Sequence, residues 1–321
     1  MRYFSAADID AALSYPALVD TLAAAFGKGA LAPPRHHHSV ALAGRPEATW
    51  LLMPAWEARG PGAPEAGRYM GVKSVTVFSD NHARGKPAVL GTYLLLSAET
   101  GDTLAVMDAT RLTVWRTAAA SALASRSLSR LDAARMLMVG AGALAPFLVR
   151  AHRSVRPITD VVVWNRSPVR AQALVADLAK DGIAATIAAD LQQAVAQADI
   201  ITTATLSPDP LIRGAWLKPG THVDSVGAYR PTMRETDDEV VRRARVYVDT
   251  RAGALAEAGD IVQPVQAGVI GKDAIVGDLY DLCRGTAPRR GSAQEITFFK
   301  SVGASIEDLA AAIAVYEHHA A

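Results

Sequence analysis

The sequence predicts an α/β fold built from two unlike halves, and three observations predict it. Met136 to Val139 is a short apolar run that reads as a buried parallel strand, and Gly140-Ala141-Gly142-Ala143-Leu144-Ala145 follows it at once in the pattern G-x-G-x-x-A. From Ser167 to Asp249 apolar strands and helical stretches alternate, the rhythm of a doubly wound parallel sheet. Before Asp108 the pattern differs: short alternating runs separated by turns describe a mostly antiparallel half.

Composition sets the outer limits. The chain has 321 residues, half of them hydrophobic, which suffices for two cores. A net charge of +1 leaves no nucleic-acid footprint. Cys283 is the one cysteine, so neither a disulfide framework nor a cysteine-based metal site is expected. The opening MRYFSAADIDAAL lacks a charged segment followed by an apolar one, and no apolar run approaches a membrane span. A cytoplasmic protein without a membrane partner is the expectation.

A short strand opens the chain, followed by a helical pattern from Ala6 to Phe26 interrupted at Pro16, with Ser14 as a cap for the restart. Pro33 and Pro34 extend the backbone, and Arg35 opens a strand through His36-His37-His38-Ser39-Val40. Neighbours in a strand face opposite ways, so only His36 and His38 could share a ligand set, and no cysteine or carboxylate lies close; no metal is expected. Strands follow at Thr49 to Pro54, Tyr69 to Ser79, Val89 to Ser97 and Thr103 to Asp108, with a Gly/Pro-rich loop from Glu57 to Arg68 and a turn from Asn81 to Pro87. Lys73 stands within an otherwise apolar strand.

Arg111 to Arg130 reads as a long helix with an Ala/Ser-rich middle. Arg111 and Arg116 near its start oppose the helix macrodipole, a conflict that an anion docked at Arg116-Thr117 would resolve. In the G-x-G-x-x-A turn, Gly140 permits the bend, Gly142 admits a pyrophosphate, and Ala145 lets the helix pack close, with Ala143 and Leu144 between them. Pro146 suits the first helical turn, whose free N–H groups face an anion. A second strand, Asp160 to Trp164, ends in Asn165-Arg166-Ser167. An acid there would hold a ribose 2′-hydroxyl; an arginine flanked by amide and hydroxyl donors suits a 2′-phosphate, so NADP(H) is expected.

Further on, Ser167 caps a helix through Lys180 with Pro168 at its first position, Asp190 caps another through Ala198, and strands are read at Ala184 to Ala188, Ile200 to Thr205, Thr221 to Val226 and Val246 to Asp249. The loops after Thr205 and Val226 leave the carboxyl ends of strands, where such sheets bind ligands. A last helix is read from Asp308 to His318, opened by Ser305-Ile306-Glu307-Asp308.

The stretches GVKSVTVFSDN, GTYLLLSAETGDTLAVMDATRLTVWRTAAASALASRSLSR, VGAGALAP, VGAYRPTMRE and FFKSVGASIEDLAAA, in this order, resemble the ornithine cyclodeaminase/μ-crystallin family over about residues 30 to 315. The resemblance implies a discontinuous architecture: residues 1–115 with 301–321 as a substrate and dimerisation domain, and an inserted Rossmann dinucleotide-binding domain over 116–300. It implies a homodimer, and a small amino or imino acid held over the nicotinamide by its carboxylate. The matching residues are Arg35, Lys73 and Arg116, three cations that the sequence itself leaves poorly explained without an anion. By the same resemblance Thr117 touches the cofactor phosphates, Asn81 lies near the site, and Ser225, Val226 and Val302 border the nicotinamide.

One departure narrows the reading. Members that cyclise ornithine carry an aspartate in the loop after the fifth sheet strand; here Tyr229 stands in its place, within GAYRPTMRE. A neutral tyrosine cannot accept a proton from an ammonium near pH 7. The resemblance is therefore to the ketimine-reductase branch, which prefers NADPH and reduces Δ1-pyrroline-2-carboxylate or Δ1-piperideine-2-carboxylate, small cyclic imino acids, to proline or pipecolate. An alanine-type dehydrogenase, ornithine cyclodeaminase and an NADPH-dependent binding protein are the alternatives. Tyr229, Asn81 and His82 stand open as proton donors, and ring size is left undetermined.

Overall fold

The computed structural model describes residues 1–60 and 65–320, with every side chain among them but that of His82. The chain opens with β1 (Arg2–Phe4), α1 (Ala6–Ala12), α2 (Tyr15–Lys28), β2 (Ala30–Leu31), β3 (His36–Val40), β4 (Ala48–Ala58), β5 (Ala66–Val77), β6 (Val89–Ser97), β7 (Thr103–Asp108) and α3 (Ala109–Leu128). It continues through β8 (Arg135–Val139), α4 (Ala145–Val155), β9 (Asp160–Trp164), α5 (Pro168–Ala179), β10 (Ala185–Ile187), α6 (Leu191–Gln197), β11 (Ile200–Thr203) and β12 (His222–Ser225). The remainder is α7 (Asp238–Arg243), β13 (Arg245–Val248), α8 (Arg251–Glu257), α9 (Gly259–Gln266), β14 (Ile275–Asp278), α10 (Leu279–Arg284), β15 (Thr297–Lys300) and α11 (Ser305–His318). Met1–Thr117 with Ala304–Ala321 forms one compact unit, and Ala118–Gly303 forms another.

The first unit is built on a sheet of order β1-β7-β6-β5-β4-β2, with β3 paired to β4. Strands β4 to β7 make an antiparallel meander, and β1 joins β7 in parallel. Alternation divides the faces: Met53, Ala55, Lys73, Val75, Tyr93, Leu95, Ala105 and Met107 are buried, while Leu52, Pro54, Val72, Leu94 and Val106 on the other face are half-buried. α11 packs against β4, β5, β6 and α2. A capping box of Ser5 and Asp8 starts α1. α2 begins with Pro16 in its first turn, buries Leu18, Val19, Leu22 and Phe26, and ends at Gly29, whose φ is 93°.

Several boundaries differ from expectation. Ser14 occupies the N-cap position of α2 but makes no side-chain cap bond. The Glu57 to Arg68 loop is shorter, because β4 runs to Ala58 and β5 starts at Ala66; residues 61–64 of it lie outside the described residues. α3 starts at Ala109, where the Asp108 carboxylate accepts the Arg111 N–H at 2.8 Å and caps the first turn. α11 starts at Ser305, so Glu307 and Asp308 fall within its first turn. His36, His37 and His38 are exposed on β3, and no group of three His, Cys, Asp or Glu among the described residues could hold a metal ion. No single helix among them is long and apolar enough to cross a membrane.

The second unit is a parallel sheet of order β10-β9-β8-β11-β12-β15-β13-β14. The chain winds outward from β8 through β9 to β10, then returns to β11 on the other side of β8, which creates the switch point where such sheets take ligands. Its inner strands, such as β8, β11, β12 and β15, are buried on both faces, which explains the apolar runs of β8 and β11. Ser167 stands at the N-cap of α5 without a side-chain cap bond, whereas Asp190 does cap α6 by accepting the Gln193 N–H. The sequence reading assigns no strand to Thr297–Lys300, yet β15 lies centrally, between β12 and β13. A buried threonine and lysine hide its strand character.

Candidate active site

Strand alternation places Lys73 on the buried face of β5, between Met53 of β4 and Tyr93 of β6. An ammonium there is costly unless paired. Asp308 pairs it: Oδ2 lies 2.7 Å from Lys73 Nζ. Arg116 on α3 completes the group, with Nε donating to Asp308 Oδ1 at 2.9 Å and Nη1 to Glu307 Oε2 at 2.6 Å. Lys73 is 2% exposed, Arg116 5%, and both carboxylates 0%. Burial above all, then the Arg116 charge, pushes the Lys73 ammonium down to about 8, while Asp308 opposes the shift. Arg35, half-buried ahead of β3, adds to the same push, so its charge bears on Lys73 too.

These pairs give Lys73 and Arg116 carboxylate partners within the chain, which the sequence does not foretell. The final helix supplies the two carboxylates, Glu307 to Arg116 and Asp308 to both Arg116 and Lys73. Glu307 and Asp308 carry no sign of this role in the sequence, where acids in a first helical turn read as dipole complements. The Tyr93 hydroxyl is buried with no hydrogen-bond partner among the described residues, and burial followed by the Asp308 charge holds it well above its ordinary range, so it stays a donor. Asn81 spends its amide on Pro87 O at 2.9 Å, within the 3₁₀ turn Asn81–Arg84. The His82 side chain lies outside the described residues. Thr117 follows Arg116 and is 7% exposed.

The second unit carries the remaining positions. Gly140 has φ 108°, and a Cβ there would stand 2.6 Å from Ala204 O, so only glycine fits this turn. At Gly142 a Cβ would meet nothing within 4 Å, leaving the open approach that a phosphate needs. Ala145 is fully buried at the start of α4, Leu144 stands at its N-cap, and Ala143 is exposed. A groove of about 380 Å³ opens over this turn, between Gly142, Ala143 and Pro146 on one side and Arg170 of α5 on the other. The glycine cradle and this open helix N-terminus fit a dinucleotide pyrophosphate. At the end of β9, Asn165 Nδ2 donates to Ser167 O at 2.9 Å and Arg166 is exposed, with no acid in the turn.

Thr205, Ser225 and Val226 lie at the carboxyl ends of β11 and β12, as do Val302 and its neighbours after β15. Thr205 donates its N–H and hydroxyl to Glu235 Oε1, each at 2.7 Å. Ser225 is fully buried, and its one hydroxyl proton is shared between Glu235 Oε2 at 3.1 Å and Asp260 Oδ2 at 3.2 Å. Asp249 accepts the Val302 and Gly303 N–H groups, each at 2.7 Å. Tyr229 is half-buried beneath the Arg230 guanidinium, which sits 5.6 Å from its ring centre. Glu235, Asp260, Lys300 and Asp249 were not singled out by sequence; a lysine inside the apolar run before Ser301 was the available signal.

Comparison with known proteins adds an independent line. The ornithine cyclodeaminase/mu-crystallin family model matches residues 4–321. The chain is 44% identical to the Δ1-pyrroline-2-carboxylate reductase of Paracoccus denitrificans over 270 residues, covering 83% of this chain and 82% of that protein. The structure of Thermococcus litoralis Δ1-pyrroline-2-carboxylate reductase in complex with NADH and L-proline matches with a TM-score of 0.91 at 32% identity, covering 100% of this chain and 98% of that one. An archaeal alanine dehydrogenase dimer with bound NAD matches with a TM-score of 0.89 at 29% identity, covering 100% and 96%.

Proposed function

The chain belongs to the ornithine cyclodeaminase/mu-crystallin family, and from that premise we propose that it is an NADPH-dependent ketimine reductase, converting Δ1-pyrroline-2-carboxylate or Δ1-piperideine-2-carboxylate to proline or pipecolate. The observation that carries this reading is the buried cluster of Lys73 and Arg116 held by Glu307 and Asp308, with the charge of half-buried Arg35 bearing on Lys73. A substrate carboxylate beside Lys73 would be attracted by the Arg116 and Arg35 charges that bear on that position. A guanidinium suits a carboxylate's two oxygens and an ammonium adds a point charge, and Asp308 fixes Arg116 and Lys73 at one spacing before substrate arrives.

A bound reduced nicotinamide supplies the hydride for the C=N carbon. Lys73 Nζ is the group of the cluster whose proton exchanges near neutral pH, and it holds that proton beside the substrate. Gly140, Gly142 and the start of α4 hold the pyrophosphate. Arg166, exposed and flanked by Asn165 and Ser167, supports the choice of NADPH. The half-buried apolar face of the first sheet, with Leu52, Pro54, Val72, Leu94 and Val106, supports a homodimer in which two such faces cover each other. The Paracoccus denitrificans relative supports the substrate class.

An alanine-type dehydrogenase is the second reading, since the same cluster would grip an open-chain oxo acid and the archaeal alanine dehydrogenase shares the fold. Cyclodeaminase is disfavoured by Tyr229, a neutral phenol where a base is needed. The deciding experiment follows oxidation of NADPH with Δ1-piperideine-2-carboxylate and Δ1-pyrroline-2-carboxylate, beside pyruvate plus ammonia and ornithine plus NAD. Turnover with the cyclic imines alone is expected. Turnover that requires ammonia would establish the second reading, and saturable NADPH binding without turnover of any substrate would make the protein a binder.

A further inference from the structure

We infer that Glu235 is a positioning residue that locks together the two loops at the carboxyl ends of β11 and β12 and thereby fixes the nicotinamide half of the dinucleotide, without acting on its adenosine half. This rests on the coenzyme reading above. Five donors converge on the one carboxylate. Thr205 N and Thr205 Oγ1 reach Oε1 at 2.7 Å each, and Thr203 Oγ1, Ser225 Oγ and Gly227 N reach Oε2 at 2.8, 3.1 and 2.7 Å. Thr203 and Ser225 end the two strands; Thr205 and Gly227 open the two loops.

The loops touch where the carboxylate holds them. A Cβ on Gly227 would stand 2.1 Å from Thr205 O and 2.6 Å from Glu235 Oε1, so glycine is required for the close approach. The clamp is itself anchored. Asp260 Oδ1 accepts the Glu235 and Thr236 N–H groups at 2.9 and 2.8 Å, and Lys300 Nζ lies 3.3 Å from Asp260 Oδ2. Glu235, Asp260 and Lys300 are all fully buried, so none is displaced by water. Each carboxylate oxygen faces one backbone N–H that can only donate, Thr205 N at Oε1 and Gly227 N at Oε2, so a carboxamide in either orientation would turn its N–H₂ group toward one of them.

The topology assigns the clamp to one end of the coenzyme. The pyrophosphate turn follows β8; β9 and β10 lie on one side of β8, and β11 and β12 on the other. The ribose-contacting turn at Asn165-Arg166-Ser167 ends β9, so the adenosine half belongs to that side and the nicotinamide half to the loops that Glu235 holds. The space that Gly140 leaves against Ala204 O joins the pyrophosphate turn to the loop after β11.

The test compares whole and half ligands on the full chain. NADPH is titrated by its fluorescence and 2′,5′-ADP by calorimetry, for wild type, Glu235→Gln and Thr205→Val. The expected result is that Glu235→Gln weakens NADPH about tenfold or more and blunts the change in nicotinamide fluorescence, while 2′,5′-ADP binds as in wild type. Thr205→Val removes one of the five donors, so it shows a smaller loss of the same selectivity and carries the test if Glu235→Gln does not fold. Equal weakening of both ligands, or no weakening of either, overturns the proposal. NADH and ADP-ribose run alongside as a second pair. If wild type prefers these, the phosphate preference is wrong, and the same selective loss is read on that pair. If wild type binds no coenzyme at all, the coenzyme reading and the clamp fall together.

Discussion

Asp308 Oδ2 lies 2.7 Å from Lys73 Nζ, with both side chains shut away from solvent. The other oxygen of the same carboxylate accepts from Arg116 Nε, so one aspartate holds two cations at a fixed spacing. Removing a single partner from such a buried set leaves charge uncompensated, at a cost of about 3 kcal/mol. Asp308→Asn keeps the volume and removes the charge. It is expected to lower stability by about that amount in urea unfolding and to raise KM for the imino acid. Wild-type stability in this variant would show that Asp308 does not hold the pair.

The same environment sets a pH dependence. Lys73 is held at about 8, so its ammonium is lost as pH rises through that value, and kcat/KM for a carboxylate substrate is expected to fall there. Lys73→Arg remains charged across the range, so its profile is expected to stay flat through pH 8 even if its overall rate is lower. The linked effect on stability has the opposite slope. Between about 8 and the ordinary value of 10.5 the unfolded chain binds the extra proton, so the destabilising effect of a buried ammonium is complete below 8 and is relieved as pH rises. The stability of wild type relative to Lys73→Met should climb across that window. A fall in kcat/KM that persists in Lys73→Arg would assign it to another group.

What the sequence made legible was local. Gly140 to Ala145 could be read because strand, turn and helix start are contiguous, and the meander because alternation from Tyr69 to Asp108 is a near-neighbour property. What it hid was distant. Arg116 and Asp308 are 192 residues apart, and Thr205 and Glu235 are 30 apart, so neither partnership leaves a periodic trace. Lys73 therefore looked like a cation in want of a ligand when it already had a carboxylate. β15 was unread for a related reason: the buried Thr297 and Lys300 break its apolar run, and the groups that satisfy them, His222 and Asp260, come from elsewhere in the chain.

The proposed preference for NADPH rests on Arg166. It is exposed at the end of β9, with Asn165 and Ser167 beside it and no acid in the turn. Arg166→Ala is expected to raise KM for NADPH about tenfold and to leave KM for NADH unchanged, because only the first presents a 2′-phosphate to the guanidinium. The loss should shrink as salt is added, since an exposed ion pair is screened. Equal effects on the two coenzymes would remove Arg166 from the 2′-phosphate site.

Gly140 and Gly142 occupy one turn but answer to different demands, so alanine at each should fail differently. At Gly140 the backbone is left-handed, with φ 108°, and a Cβ would press on Ala204 O at 2.6 Å. Gly140→Ala is expected to lower stability by about 1–3 kcal/mol, and to weaken NADPH by displacing the loop that carries Thr205. At Gly142 a Cβ meets nothing within 4 Å, and φ carries no such constraint. Gly142→Ala should therefore unfold at the wild-type temperature and yet bind NADPH more weakly, because its methyl group stands in the approach to the phosphates. Thermal unfolding and NADPH titration of the two variants separate the cases. Undiminished NADPH affinity in Gly142→Ala would place the pyrophosphate elsewhere.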